Sequence, residues 1–254
     1  MKPLITPEEL NELLASNADV VVIDARANGS GPLHADLETQ LSAARDPGAD
    51  PARGGRHPLP PLERWTKQLG EWGIGPETHV VIYDDQFGAN AAARAWWMLR
   101  AVGHERVQVV DGRWNDGSRR AESPSLQMAY PADRWLRPTI DLLRVDRSDL
   151  KVLDVRSAER YRGETEPIDP IAGHIPGALN LPFAENLDNG RFKAPHALRE
   201  MYEQLLGDTP IEKLVVHCGS GVTACHTLLA LEAAGLDGAS LYVGSWSEWC
   251  RQLR

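Results

Sequence analysis

The stretch Lys213-Leu214-Val215-Val216-His217-Cys218-Gly219-Ser220-Gly221-Val222-Thr223-Ala224-Cys225 decides how this chain is read. A short apolar run is followed by a turn with two glycines, and Thr227-Leu228-Leu229-Ala230-Leu231 then supplies a second apolar run. The order reads as strand, tight loop, helix. At such a junction backbone N–H groups converge and the positive end of the helix faces the turn, so an anion is favoured there. The side chain at the junction is Cys218. Its thiolate, not its thiol, is the nucleophile, and that points to sulfur chemistry.

The same pattern occurs earlier in the chain without the thiol. His79-Val80-Val81-Ile82-Tyr83-Asp84 resembles the run that ends at Cys218, and Arg94–Leu99 resembles the helix after it. Val20-Val21-Val22-Ile23-Asp24-Ala25-Arg26 likewise resembles Val152-Leu153-Asp154-Val155-Arg156, and Val109–Trp114 resembles Tyr242–Trp246. Four matches in one order, about 130 residues apart, mark an internal repeat. Short β-branched runs alternating with amphipathic stretches predict an α/β fold: two tandem units, each a small parallel sheet flanked by helices on both faces. Helices are expected over Leu62–Trp72, Ala92–Val102 and Ala197–Leu206, and a first helix after Thr6-Pro7-Glu8-Glu9. The expected division is a first domain over 1–120, a linker over 121–138 rich in Ser and Pro, and a second domain over 139–254. Residues 27–61, rich in Gly, Pro, Asp and Arg, read as a loop too long to be a mere connector.

The bulk numbers narrow the function. A length of 254 residues accommodates two ordinary domains, and a net charge of −9 argues against a general nucleic-acid binder. No stretch approaches the apolar length of a membrane span, and no secretory signal is visible. The three cysteines, odd in number and clustered late, make a poor disulfide framework; a reducing cytoplasm is the expected compartment.

The tandem repeat, Asp-Val-Arg after a strand, Gly173-His174-Ile175-Pro176-Gly177-Ala178, the Cys218 loop and Gly244-Ser245-Trp246-Ser247-Glu248-Trp249 together resemble two-domain rhodanese-type sulfurtransferases. The resemblance covers nearly the whole chain. It implies that only the second copy is catalytic, which matches Asp84 standing where the second copy has Cys218. The first copy is then expected to be structural and to wall the active site from one side. The loop Cys-Gly-Ser-Gly-Val-Thr is similar to the 3-mercaptopyruvate branch; the thiosulfate branch usually carries Arg-Lys after the cysteine.

On this reading Cys218 attacks the outer sulfur of a small-molecule donor, pyruvate or sulfite leaves, and a persulfide remains until an acceptor removes it. The acceptor is expected to be a thiol, such as a reduced thioredoxin-like protein or glutathione, or cyanide in an assay. No metal or organic cofactor is needed. Gly219, Gly221, Val222 and Thr223 form the substrate cradle, with Thr223 also expected to cap the helix or bond within the loop. Ser220 is placed to orient the donor or relay a proton to a departing enolate. The resemblance joins it to a histidine, whose position His57 matches, and to an aspartate, for which Asp46 is the candidate. Arg160 resembles the family's substrate arginine, a residue type suited to bidentate anion binding. The mercaptopyruvate branch commonly has a second arginine a few residues later. Here Thr165-Glu166-Pro167-Ile168-Asp169-Pro170 is acidic instead, and Arg162 is the nearest substitute.

Other readings of the same residues are structural. Asp24 with Arg26, and Asp154 with Arg156, recur in both copies and suit an ion pair at a strand end. His174 suits a fold-stabilising hydrogen bond, Cys225 a packed thiol and Cys250 an incidental one. A cysteine phosphatase would need arginine at Ala224, and the His/Cys spacing is not that of a zinc finger. The competing function is a non-turnover sulfur carrier or protein-binding module of the same fold.

Overall fold

The computed structural model describes residues 1–16, 20–26, 50–89, 91–114, 128–144 and 147–253. Two compact units emerge. The first holds the described residues up to 26 together with 60–137, and the second holds 50–59 together with the residues from 138 onward.

In the first unit, β1 (Leu4–Ile5), α1 (Pro7–Ala15), β2 (Val20–Asp24), α2 (Leu62–Glu71), β3 (His79–Tyr83), α3 (Ala91–Ala101) and β4 (Val107–Val110) follow in chain order. The start of α1 is a capping box. Thr6 Oγ accepts from Glu9 N at 3.1 Å, and the Glu9 carboxylate accepts from Thr6 N at 2.8 Å. The sheet order is β1-β4-β3-β2, all parallel. Every residue of β3 is buried, as a central strand covered on both faces requires.

In the second unit, β5 (Lys151–Asp154), α4 (Ala158–Arg162), β6 (Leu179–Asn180), β7 (Leu187–Asp188), β8 (Arg191–Phe192), α5 (Pro195–Leu206), β9 (Leu214–His217), α6 (Ala224–Ala233), β10 (Ser240–Leu241) and α7 (Ser245–Trp249) follow in order. The main sheet runs β10-β9-β5-β6, again all parallel. A parallel bridge from Thr139 to Leu241 stands where β1 pairs with β4 in the first unit, so the repeat extends to the sheet edge. The core gathers Val152, Ile175, Val215, Tyr242 and Trp246. Cys250 is fully buried in the same cluster, so it is a core residue rather than an incidental one.

The expected helices form within a residue or two. Helix α5 starts earlier than its apolar periodicity suggested, because Pro195 at the first position needs no N–H partner. The antiparallel ribbon β7–β8 was not expected. Its turn residues Asn189 (φ 49°) and Gly190 (φ 76°) both lie at positive φ, as a two-residue hairpin turn demands.

Candidate active site

The register of the two sheets aligns the copies. Asp24 pairs with Tyr83 in the first unit and Asp154 with His217 in the second, so Asp84 and Cys218 each follow the same rung. Three residues further on, Phe87 (φ 57°) and Gly221 (φ 78°) both adopt the left-handed conformation. The two loops therefore begin alike. In the first unit the Asp84 carboxylate occupies the loop: Oδ1 accepts from Gln86 N at 2.9 Å and Gly88 N at 2.8 Å, and Oδ2 from Ala92 N at 3.3 Å. The first copy thus demonstrates what such a loop holds, an anion ringed by backbone N–H groups.

In the second unit Cys218 is a free, buried thiol, 3% exposed. Its backbone is fixed from α7. Cys218 N donates to Ser245 Oγ at 3.2 Å, Trp246 N to Cys218 O at 3.0 Å, and Ser247 N to Gly219 O at 2.8 Å. Ser245 is fully buried at φ 52°, a conformation that a side chain strains, and its hydroxyl also donates to Tyr242 O at 2.9 Å. Gly221 is needed twice over: its φ favours glycine, and a Cβ there would lie 2.4 Å from Val243 O.

Residues 50–59 form a strap across this site. Gly54 N donates to Glu248 Oε1 at 2.6 Å, Arg56 N to Ser247 Oγ at 3.0 Å, and Gln252 Nε2 to Ala52 O at 2.8 Å. A Cβ on Gly55 would lie 2.4 Å from Gly244 O, so only glycine lets the strap lie this close. The strap delivers His57, whose Nδ1 is 2.8 Å from Ser220 Oγ. The structure therefore brings His57 and Ser220 together beside Cys218. Asp46 lies outside the described residues.

The strap also delivers Arg56, which the sequence reading missed. From the point where a Cβ on Gly219 would sit, Arg56 Nη2 and Arg160 Nη2 are each 3.3 Å away and Arg160 Nη1 is 3.6 Å away. Two guanidinium groups thus converge on the open face of Gly219, the residue after Cys218. Arg162, the expected substitute, instead pairs with Glu164 at the surface at 2.6 Å.

The acidic stretch turns out to hold these arginines. Glu166 accepts from Arg160 at 2.6 and 3.2 Å and from Arg156 at 3.2 Å, while Asp169 pairs with Arg56 and Arg251. Arg156 is bound in turn to Asp154 and lies 5.0 Å from the centre of the Trp246 ring. Burial pushes the Glu166 carboxyl up, but hydrogen bonds from Arg160 and from Asp169 N more than offset this and leave it below the usual range.

The remaining expectations divide. Both strand-end ion pairs form, Asp24–Arg26 and Asp154–Arg156, each at 2.6 Å. His174 Nδ1 lies 2.8 Å from Tyr161 O with its ring stacked on Tyr161, a fold-stabilising role. Cys225 is buried, its thiol 3.4 Å from Gly221 O. Thr223 stands at the cap position of α6, but its side chain makes no capping bond; its own backbone is already helical there, which turns the hydroxyl away from the N–H groups it would cap. Among the described residues no three His, Cys, Asp or Glu side chains gather as a metal site would need, and no helix is long and apolar enough to cross a membrane.

A family model described as a rhodanese-like domain matches the chain twice, over residues 6–119 and 141–252. A Pseudomonas aeruginosa protein named "probable 3-mercaptopyruvate sulfurtransferase" is 39% identical over 99% of this chain and 96% of its own. The thiosulfate sulfurtransferase of Gallus gallus is 34% identical over 75% of this chain and 70% of its own. Among solved structures, the 3-mercaptopyruvate sulfurtransferase from Leishmania major superposes with a TM-score of 0.77 at 25% identity, covering 100% of this chain and 75% of that one.

Proposed function

The chain belongs to the rhodanese family as a tandem-domain sulfurtransferase, and on that premise we propose that it transfers sulfur through a Cys218 persulfide, with 3-mercaptopyruvate as its preferred donor. The observation that carries the preference is the 2.8 Å contact between His57 and Ser220 on the loop of the nucleophile.

The chemistry follows from the residues. The Cys218 thiolate attacks the donor's sulfur, the bond from that sulfur to carbon breaks, and its electron pair leaves on the carbon as an enolate. Ser220, paired with His57, then hands that enolate a proton, giving pyruvate. Sulfite, the leaving group from thiosulfate, needs no such proton, so the pair serves one donor more than the other. Gly219, Gly221, Val222 and Thr223 supply the loop that cradles the negative sulfur. The carboxylate held by Asp84's matching loop supports that role. Arg160 takes the anionic end of the donor.

The persulfide then passes its outer sulfur to a thiol, such as a reduced thioredoxin-like protein or glutathione. That regenerates Cys218 and suits a reducing cytoplasm. A sulfur carrier would load once, whereas this enzyme turns over.

The test is kcat/KM for the two donors side by side, with mass spectrometry of the loaded enzyme. Mercaptopyruvate should be used more efficiently, and loading should add about 32 Da, one sulfur, to the Cys218 peptide. Thiosulfate used equally well or better would overturn the donor preference. Residual turnover in Cys218→Ser would overturn the persulfide route itself.

A further inference from the structure

We propose that Arg56 is the second anion-binding residue of this site, clamping the donor's carboxylate together with Arg160 over the open face of Gly219. This rests on the donor reading above and deepens it.

Geometry is the first support. Arg56 Nη2 and Arg160 Nη2 each lie 3.3 Å from the point that a Gly219 Cβ would occupy. A charged N–H···O contact spans about 2.8 Å, so a carboxylate seated over Gly219 comes within reach of both guanidinium groups. The clamp sits directly after the nucleophile, where the carboxylate of a short 2-oxo acid thiol must lie if its sulfur is to reach Cys218. A side chain at position 219 would fill the same space.

Charge is the second support. Among the described residues four arginines of this ion-pair network, Arg56, Arg156, Arg160 and Arg251, share three carboxylates, those of Asp154, Glu166 and Asp169. Arg156 is nearly enclosed, at 2% side-chain exposure, and is held by Asp154 and Glu166 together. Arg56 and Arg160 each have a side chain 20% exposed and Arg251 one 21% exposed, and of these three it is Arg56 and Arg160 that lie over Gly219. The donor's carboxylate sets a negative charge against these two guanidinium groups.

Rigidity is the third. Ser247 N donates to Gly219 O at 2.8 Å while Ser247 Oγ accepts from Arg56 N at 3.0 Å. One residue thus sets the distance between the arginine and the loop it faces. His57 is next on the same strap, so a small donor held by Arg56 is also presented to the His57–Ser220 pair.

The test compares wild type with Arg56→Ala and Arg56→Lys in the full chain. KM for 3-mercaptopyruvate should rise at least tenfold in Arg56→Ala, with kcat changed less than threefold and Arg56→Lys intermediate. Binding of pyruvate, followed by calorimetry, should weaken in parallel. If Arg56→Ala does not fold, Arg56→Lys and Arg56→Gln give the same comparison, with the charge kept in one and lost in the other. An unchanged KM and unchanged pyruvate affinity in the charge-loss variant would overturn the assignment, as would a fall in kcat alone. If wild type does not turn over mercaptopyruvate, the donor reading fails, and the pyruvate affinities still decide the role of Arg56.

Discussion

Glu166→Gln is the sharpest probe of the ion network behind the site. The Glu166 side chain is 3% exposed; Oε1 accepts from Arg160 Nη2 at 2.6 Å, Asp169 N at 3.1 Å and Ile168 N at 3.2 Å, and Oε2 from Arg156 and Arg160 at 3.2 Å each. Glutamine keeps the shape but removes the charge, and its NH2 must face an N–H of one guanidinium. Breaking a buried ion pair by removing one partner costs about 3–5 kcal/mol. Arg156 keeps Asp154 and Arg160 keeps some solvent, so the lower end applies, about 3 kcal/mol. For a chain of this size that lowers the melting temperature by roughly 6 °C.

The pH dependence has a definite sign. The Glu166 carboxyl is lowered in the folded state, so its stabilisation is present above the unfolded value of about 4.3 and is lost as pH falls through the folded value. The gap in melting temperature between wild type and variant should therefore be widest near neutrality and close on acidification. Thermal unfolding at a series of pH values reads this directly. A shift under about 2 °C at neutral pH, or a gap that widens in acid, would refute the role assigned to Glu166.

Two further outcomes are expected. Ser220→Ala should lower kcat with mercaptopyruvate by about 10²–10⁴, the range of a lost proton transfer, and change thiosulfate turnover only a few-fold; equal losses remove the relay. Gly221→Ala and Gly177→Ala separate backbone strain from close approach. Both sit at positive φ (78° and 83°), but a Cβ meets Val243 O at 2.4 Å in the first and nothing within 4 Å in the second. Gly177→Ala should cost about 1–2 kcal/mol with activity intact. Gly221→Ala should cost more and displace the Cys218 loop, so retained activity there would contradict the packing described.

Much of this was legible in the sequence because it is local. The strands announce themselves as short β-branched runs, and the repeat of those runs aligned Asp84 with Cys218 before any register was seen. The Asn189-Gly190 turn was equally readable but its flanking strands are only two residues each, too short for alternation to show. Arg56 was not legible. It sits in a loop without periodicity, and its role depends on a neighbour far along the chain and on the side chain that Gly219 lacks. The role of Glu166 and Asp169 was hidden for a related reason. As a string they are an acidic patch where the mercaptopyruvate branch commonly has a second arginine; in space they pair with Arg56, Arg156, Arg160 and Arg251. The capping alternative for Thr223 failed on a backbone angle, which residue type alone does not specify.

The strap carries a consequence for how the chain can be divided. A gene cut after residue 138 would look clean by sequence, since each half keeps one repeat. It would nonetheless separate the nucleophile's compact unit from residues 50–59, which belong to it and carry both Arg56 and His57. The later repeat is therefore not a portable cassette. A chimera that exchanges it between relatives would inherit Cys218, Ser220 and Arg160 from one parent, and His57 and Arg56, the partners proposed for them, from the other. Such a chain changes by substitution along its whole length more readily than by swapping halves.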